Sequence, residues 1–187
     1  MNRILLSATL CAILVSGFCL RQPVSAMAAP AIISTTAKWQ GGASVYKLKS
    51  AGIQFLVPAG WKVEKDQDGN VTVSKDEGES IAIVSFGLLP PEASALTPEE
   101  QFKAASEGAF SNLKGLQLDK PGKKTVNGIP ATGQPFKAKV DGVDMAGLLI
   151  LLSADKPVVI FLYGTAKLSE DTHKEALTLL DSIKKVE

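Results

Sequence analysis

Side chains that could do chemistry are sparse in this chain of 187 residues. Its single histidine, His173, precedes an apolar helical stripe, where packing or capping is a more common role than catalysis. A general base also needs a nucleophile within hydrogen-bond reach, and a zinc site normally needs several imidazole or thiolate ligands. We therefore predict that the protein is not an enzyme and has no catalytic residue, no cofactor and no metal ion. A hydrolase that uses a serine and His173 is the alternative.

An acidic segment, residues 66–70, imitates part of a calcium-binding loop. Two aspartates and an asparagine alternate along it, and Glu77 stands at the twelfth position of the pattern. Val71, however, occupies the position where such a loop needs glycine for its sharp turn. Asp68-Gly69 between two alternating runs is typical of a hairpin turn. A hairpin is therefore predicted here, and a weak surface calcium site is the alternative.

The N-terminal residues 1–28 are predicted to be a signal peptide. Arg3 provides a positive start, the apolar run 4–20 follows, and small residues then offer a cleavage site. An uncleaved membrane anchor is the alternative, because the apolar run is slightly longer than usual. Cys11 and Cys19 both lie in this segment, so the exported chain would contain neither disulfides nor thiolate metal sites.

The charge of the exported chain argues against a nucleic-acid partner. The two arginines of the full sequence, Arg3 and Arg21, both lie in the signal peptide, so cleavage reduces the 20 basic residues to 18 lysines, against 19 acidic residues. The resulting net charge of −1 provides no basic surface, and the planar arginine fork that reads phosphates and bases is missing. We predict no nucleic-acid partner and no stable membrane insertion after cleavage.

The rest of the chain is organised around residues 52–63. Ile53, Phe55 and Val57 alternate with Gln54 and Leu56, which predicts a strand with one buried face. A Pro-Ala-Gly turn then leads to a second strand that is predicted to begin at Trp61. Residues 29–44, rich in small side chains, are predicted to be a flexible leader. Residues 45–187 are predicted to form a single domain.

Further hairpins are indicated by Asn-Gly at 127–128 and Asp-Gly at 141–142. Residues 145–152 and 158–163 are almost continuously apolar, which indicates central strands covered on both faces. Gly147 within the first of them indicates a bulge or a close approach of another part of the chain.

Two helices complete the pattern. Thr97-Pro98-Glu99-Glu100 is typical of a capping box with proline at the first helical position, and predicts a helix over 97–114. Ser169 begins a second predicted helix over 169–185. The predicted class is α+β, with two main helices and a central antiparallel sheet of about six to eight strands built from hairpins.

The run Ile53-Gln54-Phe55-Leu56-Val57-Pro58-Ala59-Gly60-Trp61 resembles the opening of the PsbP-like family and of its bacterial DcrB-type relatives. The capped mid-chain helix, the Asn127-Gly128-Ile129-Pro130-Ala131 segment and the C-terminal helix support this resemblance, which covers about residues 45–186. It implies an α/β/α sandwich and an exported accessory protein, and it carries over neither a catalytic set nor docking residues.

Two places carry apolar side chains that could contact another molecule, although each also has an interpretation as core. They are the end of a strand, with Phe86, Leu88 and Leu89, and the turn at Trp61. We expect an exported, periplasmic or extracellular accessory domain that acts through contact with an envelope protein of unknown identity. The alternative is a carrier of a small apolar ligand in a pocket near Trp61.

Overall fold

The computed structural model describes residues 37–38 and 42–186. The predicted signal peptide lies outside these residues, as does most of the predicted leader. Within the leader, Ala37–Lys38 form a short strand that pairs with Ser44 and Val45.

The described residues form twelve strands and two α-helices, numbered here in chain order. The strands are β1 Ala37–Lys38, β2 Ser44–Leu48, β3 Ile53–Val57, β4 Lys62–Lys65, β5 Val71–Asp76, β6 Ile81–Leu88, β7 Lys114–Leu118, β8 Gly122–Val126, β9 Ile129–Val140, β10 Val143–Leu152, β11 Val158–Thr165 and β12 Lys184–Lys185. The helices are α1 Pro98–Phe110 and α2 Glu170–Asp181.

Eight strands form a large antiparallel sheet in the order β4-β5-β6-β11-β10-β9-β7, and β8 pairs with the other half of the long β9. This confirms the predicted α+β class and the predicted size of the central sheet. A second antiparallel sheet, in the order β1-β2-β3-β12, was not predicted. Its two outer strands have two residues each, which is too short for an alternating pattern to reveal.

The two apolar strands β10 and β11 lie side by side at the centre of the large sheet, between β6 and β9, as predicted. Consecutive residues of β10 are buried on opposite faces, for example Leu149 at 0% exposure and Ile150 at 1%. Gly147 in β10 marks the predicted close approach. A Cβ atom there would lie 2.7 Å from ring atoms of Phe136 and would collide with the backbone oxygen of Leu162.

Each face of the large sheet has its own hydrophobic layer. On one face, α1 packs on an aromatic cluster in which Phe136 and Phe161 stack with centroids 5.0 Å apart and Phe110 is tilted 5.2 Å from Phe136. On the other face, the small sheet and α2 lie next to one another and bury the second layer, which includes Phe55 and Ile160. The sandwich arrangement implied by the family resemblance is therefore present.

The predicted hairpin turns are confirmed at their Asx-Gly pairs. Asn127 and Asp141 have φ values of 46° and 51°, and Gly128 and Gly142 also have positive φ. Asp68-Gly69 likewise joins β4 to β5.

Both helices end earlier than predicted. Helix α1 ends at Phe110 rather than at residue 114, because Lys114 already pairs with Lys139 in the sheet. Helix α2 ends at Asp181 rather than at residue 185, because the chain returns to pair with β3. The Nδ2 group of Asn127 donates to the backbone oxygens of Asp181 and Ile183, at 2.6 and 2.8 Å, and so satisfies carbonyls at this helix end. In the described part of the chain, neither helix has the length and apolar character needed to cross a membrane.

Candidate functional site

The predicted contact residues lie at different depths in the fold. Phe86 is 1% exposed and stacks on Phe55 with ring centroids 4.2 Å apart. Trp61 is 7% exposed. Leu88 and Leu89 are half-buried, and they pack against the hydrophobic layers on opposite faces of the large sheet. Leu88 and Leu89 are thus partly accessible to solvent. Contact with another molecule stays a prediction for all four residues.

Trp61 belongs to a polar network that the sequence did not suggest. Its Nε1 group donates to Glu175 Oε2 at 2.9 Å, and Lys75 Nζ donates to the same oxygen at 2.8 Å. The hydrogen bond from Lys75, and then that from Trp61, hold the pKa of Glu175 below its ordinary value. The indole that precedes β4 is therefore hydrogen-bonded to the middle of α2.

Glu77, in the turn after β5, extends this network to the first turn of α2. Its carboxylate accepts hydrogen bonds from Ser169 Oγ, at 2.8 Å, and from the hydroxyl of the fully buried Thr172. These bonds, with that from Thr172 as the largest contribution, hold the pKa of Glu77 below its ordinary value. A carboxylate at a helix N-terminus is also favoured by the helix dipole.

We call the six residues of this network the α2 clamp, and they are Trp61, Lys75, Glu77, Ser169, Thr172 and Glu175. The clamp joins the β3–β4 turn, the end of β5 with the turn that follows it, and the first half of α2. Its sequence separations of about 100 residues, for example between Lys75 and Glu175, explain why no local pattern predicted it.

A groove of about 360 Å³ lies between β3 and α2, next to the clamp. The backbone N–H of Leu56, which lines the groove, donates to Ser182 Oγ at 2.8 Å and so joins β3 to the C-terminal end of α2. Leu56 and Pro58 line the strand side of the groove. Glu175, a residue of the α2 clamp, lines the helix side. The remaining lining residues are Ala43, Asp171, Lys174, Thr178 and Leu179. Trp61 does not line this groove but donates to Glu175, which does. A ligand pocket near Trp61 stays a prediction.

A second surface feature is the segment between β6 and α1, residues 89–96, which we call the apolar loop. The buried side chain of Gln101 donates to the backbone oxygens of Ala93, at 2.9 Å, and of Leu96, at 3.2 Å. At its other end, the Leu89 backbone N–H donates to the oxygen of Pro157 at 3.4 Å. Hydrogen bonds to Gln101 and Pro157 thus fix the backbone of the loop, and Leu96 on it is 40% exposed.

The remaining candidates for chemistry are dispersed. His173 is exposed on α2. Asp66 holds its own hairpin, because its carboxylate oxygens accept from the backbone N–H and the Nδ2 group of Asn70, both at 2.8 Å. Across the described ranges 37–38 and 42–186, no three His, Cys, Asp or Glu side chains are grouped as metal ligands would be.

Comparison with known proteins gives a clear answer for the fold alone. No protein-family model matches the chain, and no curated protein sequence matches it significantly. The solved structure of cyanobacterial PsbP (CyanoP) from Synechocystis sp. PCC 6803 matches over 88% of this chain and 100% of its own, with a TM-score of 0.56 and 14% identity. The fold is PsbP-like. The resemblance indicated by residues 53–61 is confirmed at this level.

Two further solved structures show weaker likeness to this PsbP-like chain. LpqN of Mycobacterium tuberculosis, described as involved in cell envelope biogenesis, is 18% identical with a TM-score of 0.45, over 81% of this chain and 91% of its own. The PA94 protein of Pseudomonas aeruginosa, described as a putative regulator of unknown function, is 16% identical with a TM-score of 0.46, over 74% of this chain and 95% of its own. At TM-scores below 0.5 these two similarities support no conclusion.

Proposed function

We propose that this chain is an exported accessory domain that binds another protein of the cell envelope and performs no chemistry of its own. The PsbP-like fold supports this proposal, as does the signal-peptide pattern of residues 1–28. The observation that carries it is the apolar loop, where an exposed leucine stands on a backbone fixed by the buried Gln101.

The physical argument concerns the cost of binding. An apolar side chain on a mobile loop loses part of its contact energy when the loop must be ordered. Here Gln101 bonds two carbonyls of the loop, and Pro90 and Pro91 restrict its backbone further. Leu96 is presented at one end of this fixed segment, and Leu89 is half-buried at the other end. A contiguous apolar patch is typical of a contact surface, and the proposal requires Leu96 to form one with the half-buried Leu88 and Leu89.

The test is recovery of a partner from the native host with the Leu96→Asp variant. We expect the variant to keep its melting temperature and to lose the partner that the unchanged chain recovers after crosslinking. Leu177→Asp is the matched control, because Leu177 is also 40% exposed but lies on α2. Equal recovery by Leu96→Asp and the unchanged chain would contradict the proposed surface. The variants Leu88→Asp and Leu89→Asp then test whether the half-buried leucines beside Leu96 belong to the same contact surface.

The groove beside α2 favours a second candidate, a carrier of a small ligand. Its volume of about 360 Å³ is at the lower end of the roughly 300–1,000 Å³ typical of small-molecule sites. Native mass spectrometry of the protein purified from its own host tests this function. A co-purified small molecule that is lost when the groove is filled by Thr178→Phe supports a carrier. A mass that equals the polypeptide alone argues against it.

A further inference from the structure

The charges of the exported chain are unevenly distributed along it. Residues 111–147, which contain β7, β8, β9 and the first half of β10, include six lysines and three acidic residues. The other residues of the exported chain therefore have an excess of acidic side chains. The near-neutral total is thus compatible with a basic surface at one margin of the large sheet, which the total alone did not predict.

The strand register places four of these lysines on one face of the sheet. Lys137 and Lys139 alternate in β9 with side chains that are buried under α1, so these two lysines lie on the other face. Lys114 on β7 is directly opposite Lys139, and residues directly opposite in an antiparallel pair share a face. Lys124 on β8 is likewise opposite Ala131, which is buried in the layer on that face. We call the four exposed lysines the basic face, and they are Lys114, Lys124, Lys137 and Lys139.

The layer that covers this face of the sheet ends before it reaches Lys137 and Lys139. In the second half of β10, Ile150 and Leu152 are buried beneath the small sheet and α2, at 1% and 0% exposure. In the first half of β10, the same face carries Asp144 and Ala146, which are directly opposite the two lysines and are both exposed. This part of the sheet is therefore open to solvent.

The positive charge of the basic face is largely uncompensated. Lys139 Nζ lies 3.2 Å from Asp144 Oδ1, in a pair whose side chains are 59% and 70% exposed. The other acidic groups of residues 111–147 are Asp119, in the loop between β7 and β8, and Asp141, in the turn between β9 and β10. Among the residues that the structure describes, the remaining three lysines form no ion pair, and they are Lys114, Lys124 and Lys137. The basic face therefore attracts anions.

The size and composition of the basic face indicate which kind of anion it fits. Lys124 and Lys139 are paired at positions 131 and 139 of β9, which are about 26 Å apart at about 3.3 Å per residue. A small anion cannot reach both, whereas an extended anionic surface can. The basic face contains only lysine, which is depleted in protein interfaces, and it lacks the aromatic and arginine side chains that anchor them. An anionic lipid bilayer therefore fits it better than a protein.

We propose that the basic face attaches the exported domain to an anionic membrane surface by electrostatic attraction to the lipid headgroups. This attachment is peripheral and requires no insertion into the bilayer. The apolar loop leads into α1, which packs on the other face of the sheet, so contact with an envelope protein and with the membrane can occur together. The inference goes beyond the proposed function and does not depend on it.

The experiment is cosedimentation with lipid vesicles of the protein purified after export from its own host. One kind of vesicle contains phosphatidylglycerol and phosphatidylcholine in equal parts, and the other contains phosphatidylcholine alone. We expect tighter binding to the anionic vesicles, and added sodium chloride should reduce the difference, because exposed charges are screened. All variants have the same N-terminus, so the differences among them report on the lysines alone.

Two double variants locate the effect. Lys114→Gln with Lys137→Gln should weaken binding to the anionic vesicles about 25-fold, or about five-fold per lysine. Lys62→Gln with Lys65→Gln is the matched control, because it removes the same charge from β4, at the opposite margin of the same sheet. The control should change the affinity by less than about two-fold. All four lysines are exposed, which favours an intact fold that circular dichroism can check.

Three results would overturn the membrane proposal. Equal binding to the two kinds of vesicle would show that headgroup charge has no role. An equal loss of affinity in the two double variants would show that total charge, rather than the basic face, determines binding. If Lys114→Gln with Lys137→Gln keeps vesicle binding and loses a crosslinked protein instead, the basic face is a protein contact. None of these results bears on the apolar loop, which the Leu96→Asp variant tests separately.

Discussion

The two helices of this PsbP-like domain are attached to the same sheet by different forces. Helix α1 is held by its apolar face, in which Phe102 and Phe110 pack on the aromatic cluster of β9 and β11. Helix α2 also buries an apolar stripe, but the α2 clamp adds hydrogen bonds to ionised carboxylates at the first turn and the middle of the helix. The difference teaches that packing holds both faces of the domain, and that on the α2 face it is supplemented by contacts that require ionised Glu77 and Glu175.

This contrast coincides with the two candidate surfaces. The apolar loop leads into α1 and is fixed by Gln101 of that helix, through bonds that involve no titratable group. The groove lies beside α2 and shares Glu175 with the clamp. We therefore expect protein contact at the loop to be insensitive to pH and salt, and ligand binding in the groove to depend on both.

The largest effect is expected on the packed side. Phe161→Ala removes a ring that stacks on Phe136 and meets Phe110 at a centroid distance of 6.1 Å. Deletion of a buried ring of this size costs about 3–5 kcal/mol, because the cavity closes only partly. Urea unfolding at neutral pH measures this loss. A loss below about 1 kcal/mol would show that the aromatic cluster is not what holds α1.

A smaller effect is expected in the clamp. Thr172→Val keeps the shape of a fully buried side chain and removes the hydroxyl that donates to Glu77. We expect a loss of about 1–2 kcal/mol in the free energy of unfolding, since a carboxylate loses a buried donor. Thr178→Val is the control, because that exposed hydroxyl donates within its own helix, to the oxygen of Lys174, and should change stability by no more than about 0.5 kcal/mol.

The pH dependence of stability sharpens the comparison. The pKa values of Glu77 and Glu175 lie below the ordinary value of 4.5 in the folded protein. Their contribution is therefore fully present above that value, and it is lost as the pH falls through the lowered pKa values. Glu175→Gln should reduce the loss of stability on acidification. A Glu64→Gln control on β4 should retain it. If the two variants lose stability equally between pH 7 and acid, the clamp does not provide this dependence.

The smallest effect belongs to an exposed ion pair on the packed side. Lys123 Nζ lies 2.7 Å from Glu99 Oε1, and both side chains are more than half exposed, at 76% and 65%. Such pairs gain little over solvation. Lys123→Ala should therefore leave the denaturation midpoint unchanged, and a clear decrease would show that α1 also depends on surface charge.

The sequence predicted those parts of the fold whose signals are local. Asn127-Gly128 and Asp141-Gly142 define their own turns through residues that tolerate positive φ. The unbroken apolar run in β10 identifies a strand buried on both faces, whatever its neighbours are. The start of α1 was also predicted, because the capping box at Thr97 and Glu100 lies within four residues.

The features that the sequence did not reveal depend on distant partners. The end of α2 is decided by Asn127, more than 50 residues earlier, and by the pairing of Lys184 with Gln54. The clamp likewise joins residues about 100 positions apart. Nothing in the types of Glu77 or Lys75 distinguishes them from other surface charges. The candidate groove lies beside these long-range contacts, and the predicted pocket near Trp61 named none of the residues that line it.

Site-specific photo-crosslinking in the native host tests the proposed function most directly. The photoreactive residue p-benzoylphenylalanine replaces Leu96 in one strain and Leu177 in another, two positions of equal 40% exposure. The proposed function predicts a discrete protein adduct from position 96 and none from position 177. An adduct from position 177 alone, or no adduct from position 96 in a correctly exported protein, would contradict it.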